Sequence, residues 1–250
     1  MNIKYCTFTD VDKLTDMSRI IDMSKEFPFI ELGVLYSPTK CYSSERYPFP
    51  EFILKFIETI SLYNINYAIH FCGSSINNII KENEYEKELL NLINKLQYRA
   101  QLNFNQKNPN IDLNKLLTVL QQYPNIQFIT QHNKSNLTVY KKFSKHLKKY
   151  SVLFDSSGGR GIELYKIHMP FNGLFCGYAG GLGPDNLKSE LKFISQAVQN
   201  NNIWIDMESN MRGVTWLDLD KCQTRAQIVN LIINFYGNLM DTNNFFKCDF

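Results

Sequence analysis

The sequence predicts an α/β fold, a single (β/α)₈ barrel over residues 1–250, and three observations carry that expectation. Short apolar runs alternate with amphipathic stretches from one end of the chain to the other, as repeated β-α units require. Eight such units fit into 250 residues, and at 44% apolar a chain of that length can bury one large core. The loop after the first strand, "TDVDK", has no glycine, whereas a doubly wound open sheet should show a GxGxxG turn there.

The strands are expected in order at "IKYCTF" (3–8), "FIELGVLY" (29–36), "YAIHFC" (67–72), "AQLNF" (100–104), "IQFITQ" (126–131), "SVLFD" (151–155), "GLFCGYA" (173–179) and "IWIDME" (203–208). Each is a short run dominated by apolar residues or alternating apolar with polar ones. Between them, apolar residues recur at helical spacing: Phe52, Ile53, Phe56, Ile57 and Ile60, then Leu113, Leu116, Leu117 and Leu120, and later Leu187, Leu191, Ile194 and Val198. After Cys72, "KENEYEKE" divides two apolar groups and predicts a broken helix. The run "YKKFSKHLKK" places Tyr140, Phe143 and Leu147 on one face, so its lysines read as a solvated helix surface. The unit after Asp155 has the weakest helical pattern, since Ile162 to Met169 is short and stops at Pro170. A last helix from about Thr224 to Asn238 would cover the eighth strand.

Composition narrows the function classes. A formal charge of +3 without a basic patch argues against nucleic acid as a partner. No segment approaches the roughly 18 apolar residues of a membrane span, and "MNIKYCTFTDVDK" lacks an apolar leader core, so a soluble cytoplasmic protein is expected. Six cysteines at wide spacings, without CxxC, read as free thiols. Four dispersed histidines form no HxH or HExxH pair, so no metal is expected, and no sequence feature calls for a cofactor.

Seven of the twelve glycines lie in two segments, "SSGGRG" (156–161) and "GYAGGLG" (177–183), each directly after an apolar strand. Glycine permits positive φ and lets backbone N–H groups converge on an anion, and the second segment leads through "PDN" into an amphipathic helix whose N-terminus adds partial positive charge. Gly158, Gly159, Gly180 and Gly181 are therefore candidate phosphate ligands. The alternative is that they only make tight βα turns.

In order along nearly the whole chain, further segments strengthen the phosphate reading. "KYCTFTD", "GVLYSPTKCYSSERYP", "AQLNF", "LFDSSGGRG", "YAGGLGPDNL" and "IDMESNMR" together resemble the phosphoribosylanthranilate isomerases, a family of the ribulose-phosphate-binding barrels. The resemblance implies binding of an N-linked ribose phosphate and an Amadori-type isomerisation: an acid protonates the ring oxygen, the ring opens to a Schiff base, and a base removes the proton at C2′. It implies Cys6 as the base, with Lys4 on the same side of the first strand, and Asp155 as the acid. Arg46 would hold a substrate carboxylate, Ser209 and Asn210 would join the phosphate site, and Asn103 would face the substrate. Read from the residues alone, Cys6 could equally be an inert buried thiol.

The chain also departs from the family pattern. Thr7 stands in place of a glycine, Asn103 and Phe104 replace a His-Gly pair, and Asn210 replaces the glycine of the last strand. Glu208 puts a carboxylate, beside Asp206, where a phosphate would lie. Either Arg212 neutralises it or the ligand presents hydroxyl or amino groups there. These departures leave a second reading open, a barrel that binds a nucleotide-like phosphorylated ligand without turning it over, as a monomer or homodimer.

Overall fold

The structure, a computed structural model, describes residues 1–108, 110–155, 167–183, 185–199, 201–213 and 216–245, with 235–245 as backbone only. Its eight strands are β1 (Asn2–Thr9), β2 (Ile30–Tyr36), β3 (Asn66–Cys72), β4 (Arg99–Asn103), β5 (Gln127–His132), β6 (Tyr150–Asp155), β7 (Phe175–Ala179) and β8 (Asn202–Met207). They pair in chain order, all parallel, and β8 closes on β1. Every strand lies within two residues of its expected position. The helices are α1 (Met17–Glu26), α2 (Pro50–Ser61), α3 (Ser75–Ile80), α4 (Glu84–Leu96), α5 (Leu113–Leu120), α6 (Val139–His146), α7 (Leu187–Val198) and α8 (Leu219–Phe245). The expected break after Cys72 is the α3–α4 junction, where Glu82 takes a positive φ of 54°. The glycines Gly158 and Gly159 and most of the short helix expected at Ile162 to Met169 lie outside the described residues.

Strand alternation sorts the side chains into two shells. Residues such as Ile30, Leu32, Ile69, Leu102, Val152, Ile203 and Ile205 face outward and pack with Ile57, Leu89, Leu116, Phe143, Leu191 and Val229 of the helices into the main core. Inside the barrel a smaller cluster of Ile129, Leu153, Ala179 and Trp204 packs with Tyr5 and Phe175. Trp204 fits because β7 offers a glycine: a Cβ on Gly177 would lie 2.1 Å from the indole.

The rest of the interior is polar, and much of it is ionic. Arg99, 4% exposed at the start of β4, gives Glu31 of β2 two hydrogen bonds from Nη1, of 2.8 and 2.9 Å, and Thr7 donates to the same carboxylate at 2.7 Å. The guanidinium lies over the rings of Trp204, Tyr5 and Phe175 at 4.2, 4.9 and 5.6 Å. These contacts compensate part of the desolvation that burying a charge entails.

Candidate functional site

At the C-terminal ends of the strands a narrow polar pocket collects Gln101, Gln131, Asp155 and Asp206 from β4, β5, β6 and β8. Ala179, Gly180, Gly181 and Leu182 wall it from β7, and Glu208, Ser209 and Asn210 from the turn after β8. Its free volume is about 20 Å³, room for little more than one water molecule.

Asp155 and Asp206 flank the pocket. In register both pair with Ala179, from either side, which puts two strand spacings, roughly 10 Å, between their Cα atoms. Gln131 Nε2 donates to Asp155 Oδ2 at 3.0 Å, and Thr9 Oγ1 donates to Asp206 Oδ1 at 2.8 Å. Burial pushes the Asp206 carboxyl up to about 7, and the charges of Glu31 and Asp155 add to that, while the Thr9 hydrogen bond and Arg99 oppose it. Asp206 therefore still holds its proton in part at neutral pH, at a position facing the pocket. His70 lies deeper on β3, against Gln101, with its pKa lowered to about 3 by burial and by Arg99 and Arg46, so the ring is neutral.

The loop after β7 uses its glycines for backbone geometry. Gly180 and Gly181 have φ of 113° and 63°, conformations that L side chains rarely adopt. Asn186 and Asn210 both donate to the Gly181 carbonyl, at 2.9 and 3.0 Å, tying the loop after β7 to the turn after β8 just ahead of α7.

Cys6 is not brought to the pocket. It is fully buried in the outer core, near Cys222 of α8, and burial first, then Cys222, Asp206 and Glu31, pushes its thiol well above the ordinary range. The reason is a register shift between Ile3 and Tyr5. That irregularity resets the alternation, so Tyr5, Thr7 and Thr9 face the barrel interior and Cys6 faces the helices. Lys4 and Cys6 consequently do not share a side: Lys4 is exposed at the opposite mouth.

The arginines also differ from expectation. Arg46 is half-buried and gives Nε to Asp10 at 2.8 Å and Nη2 to Glu208. Arg212, one of the two ways the sequence offers to neutralise Glu208, pairs with Asp10, with 3.2 Å between its Nη1 and Oδ2. Asp10 is fully buried with φ of 100°, and burial raises its pKa despite both guanidiniums. Asn103 takes a hydrogen bond from Gln101 at 3.0 Å and donates to Cys72 Sγ at 3.3 Å, at the edge of the pocket rather than in its wall. Asp206 and Gln131 were not singled out as site residues from sequence. The signal for Asp206 was its place in an alternating run, Trp204, Asp206, Glu208, at the end of a strand.

No protein-family model matches the chain, and no curated protein matches it. Solved structures do. A monomer of the dimeric phosphoribosylanthranilate isomerase from Thermotoga maritima aligns over 89% of this chain and 95% of its own, at 16% identity and a TM-score of 0.51. A truncated 3-deoxy-D-arabino-heptulosonate 7-phosphate synthase from the same organism aligns over 94% and 88%, at 12% identity and a TM-score of 0.57. The chain has the TIM-barrel fold. A third similar structure, the N-acetylneuraminic acid synthetase of Leptospira borgpetersenii, covers 95% of this chain and 86% of its own at 11% identity, with a TM-score of 0.56. In this fold the C-terminal mouth is the face from which active sites are built, and Asp155, Asp206 and the Gly180–Gly181 loop lie there. Among the described residues no cluster of His, Cys, Asp or Glu could hold a metal ion, and no helix is long and apolar enough to cross a membrane.

Proposed function

We propose that this barrel is an isomerase of an N-linked ribose phosphate or a closely similar sugar phosphate, with Asp155 and Asp206 as its acid–base pair. The observation that carries the reading is the pairing of two carboxylates across one pocket, one of them held protonated to about pH 7. Aldose–ketose rearrangement needs a donor for the ring oxygen and an acceptor for the C2′ proton, in environments that separate their pKa values. Asp206, with the raised pKa, is the donor. Asp155, oriented by Gln131, is the acceptor, which reverses the role that the family resemblance implies for it and fills the place left by Cys6. The phosphate is assigned to the Gly180–Gly181 loop and to Ser209 and Asn210, all of which line the same pocket.

The test is conversion of phosphoribosylanthranilate, and of phosphorylated aldoses, by the parent protein and by Asp206→Asn and Asp155→Asn. Each variant should lose roughly 10²- to 10⁴-fold in turnover with little change in ligand affinity. Turnover that survives both substitutions contradicts the assignment. One observation favours a second reading, binding without turnover: the arginine that would take a substrate carboxylate is already engaged by Asp10 and Glu208. That reading predicts phosphorylated ligands retained on the parent protein with no conversion of any.

A further inference from the structure

A larger cavity than the carboxylate pocket lies at the other end of the barrel. About 700 Å³ opens beneath the N-terminal mouth, within the size range of small-molecule sites. Its walls include Tyr5, Gln127, Phe175 and Asn202, at the starts of β1, β5, β7 and β8, together with Lys4 and Asn172. In a barrel whose lumen is filled to the base these inward residues would be sealed. Here Tyr5 and Phe175 are only partly buried, although their rings meet edge to face at 6.1 Å and belong to the inner cluster.

Charge and hydrogen-bonding capacity choose the occupant. Lys4 is the one charged residue among the described residues of the wall, and no carboxylate is among them. Gln127, Asn172 and Asn202 add amide donors. Behind the aromatic ceiling lies Arg99, buried, with Nε and Nη2 lacking a hydrogen-bond partner and its guanidinium over both rings. A cation stacked on one face of a ring withdraws electron density and leaves the other face a better partner for an electron-rich or anionic π system. We infer that the N-terminal mouth is a second ligand site, separate from the carboxylate pocket, for a small planar aromatic anion that stacks on Tyr5 and Phe175 with its charge toward Lys4.

The probe is 2-naphthoate, with uncharged 2-naphthamide for comparison, titrated into the whole protein by calorimetry. The parent should bind naphthoate more tightly than naphthamide. Lys4→Glu, at an exposed position that does not threaten folding, should weaken naphthoate by about tenfold or more and spare naphthamide. Phe175→Ala should weaken both, provided its circular dichroism matches the parent. Asp206→Asn, a substitution at the other mouth, should leave naphthoate affinity within about twofold of the parent. The inference is overturned by failure of naphthoate to bind at millimolar concentration, by equal affinity in Lys4→Glu, or by loss of binding in Asp206→Asn. None of these outcomes depends on whether the carboxylate pocket isomerises a sugar.

Discussion

Two carboxylate–guanidinium clusters occupy the barrel, and they differ in everything except their chemistry. Glu31 and Arg99 pair deep inside, at 1% and 5% side-chain exposure, with the guanidinium covered by aromatic rings and the carboxylate also bonded by Thr7. Arg46 sits at the upper rim at 26% exposure, shared between a buried Asp10 and a partly exposed Glu208, with Arg212 as a second cation. The inner pair is sealed from solvent and faces neither mouth directly. The rim cluster has spare partners and borders the pocket. The same pair of functional groups thus serves as a fixed strut in one place and as an adjustable wall in the other.

The largest effect should come from breaking the strut. Arg99→Met leaves the Glu31 charge buried without its partner and should cost roughly 3–5 kcal/mol in urea unfolding. Adding Glu31→Gln to the same protein should return most of that loss, because the uncompensated charge is then gone. A double variant as unstable as the single one would mean that the packing of Arg99 against the rings, rather than the charge, holds the lower barrel.

A smaller effect is expected at the rim. Arg46→Gln keeps Arg212 beside Asp10, so stability should fall by only about 1–2 kcal/mol. Glu208 then faces the pocket with an unneutralised charge, and affinity for ribose 5-phosphate should drop about tenfold in calorimetry. Unchanged affinity would separate Glu208 from the ligand site and make the rim as purely structural as the core pair.

This contrast also marks what could be read in the sequence. All eight strands were legible because an inward-and-outward buried parallel strand is a short apolar run, and the glycine loop was legible because positive φ selects glycine. The facing of Cys6 was not, since a one-residue irregularity near Lys4 inverts every later side chain of β1 and leaves no mark in composition. Nor was the pairing of Arg46 with Glu208: the partners are 162 residues apart and meet only when the barrel closes. The carboxylate most important to the proposed chemistry, Asp206, looked in sequence like one more charge at a strand end. Burial, which only the fold supplies, is what changes its proton affinity.

That proton affinity is the claim on which the functional account rests, and it can be measured without knowing the substrate. Carboxyl-detected NMR titration, assigned by comparison with Asp206→Asn, should place the Asp206 pKa at about 7. Because a carboxyl whose pKa is raised on folding favours the folded state only while protonated, the parent should also lose stability relative to Asp206→Asn as pH rises from about 4 to about 7, while neutral His70, its pKa lowered to about 3, acts in the opposite sense in both proteins and cancels from that difference. A titration near 4, the ordinary aspartate value, with no such relative loss, would contradict the assignment of Asp206 as the proton donor.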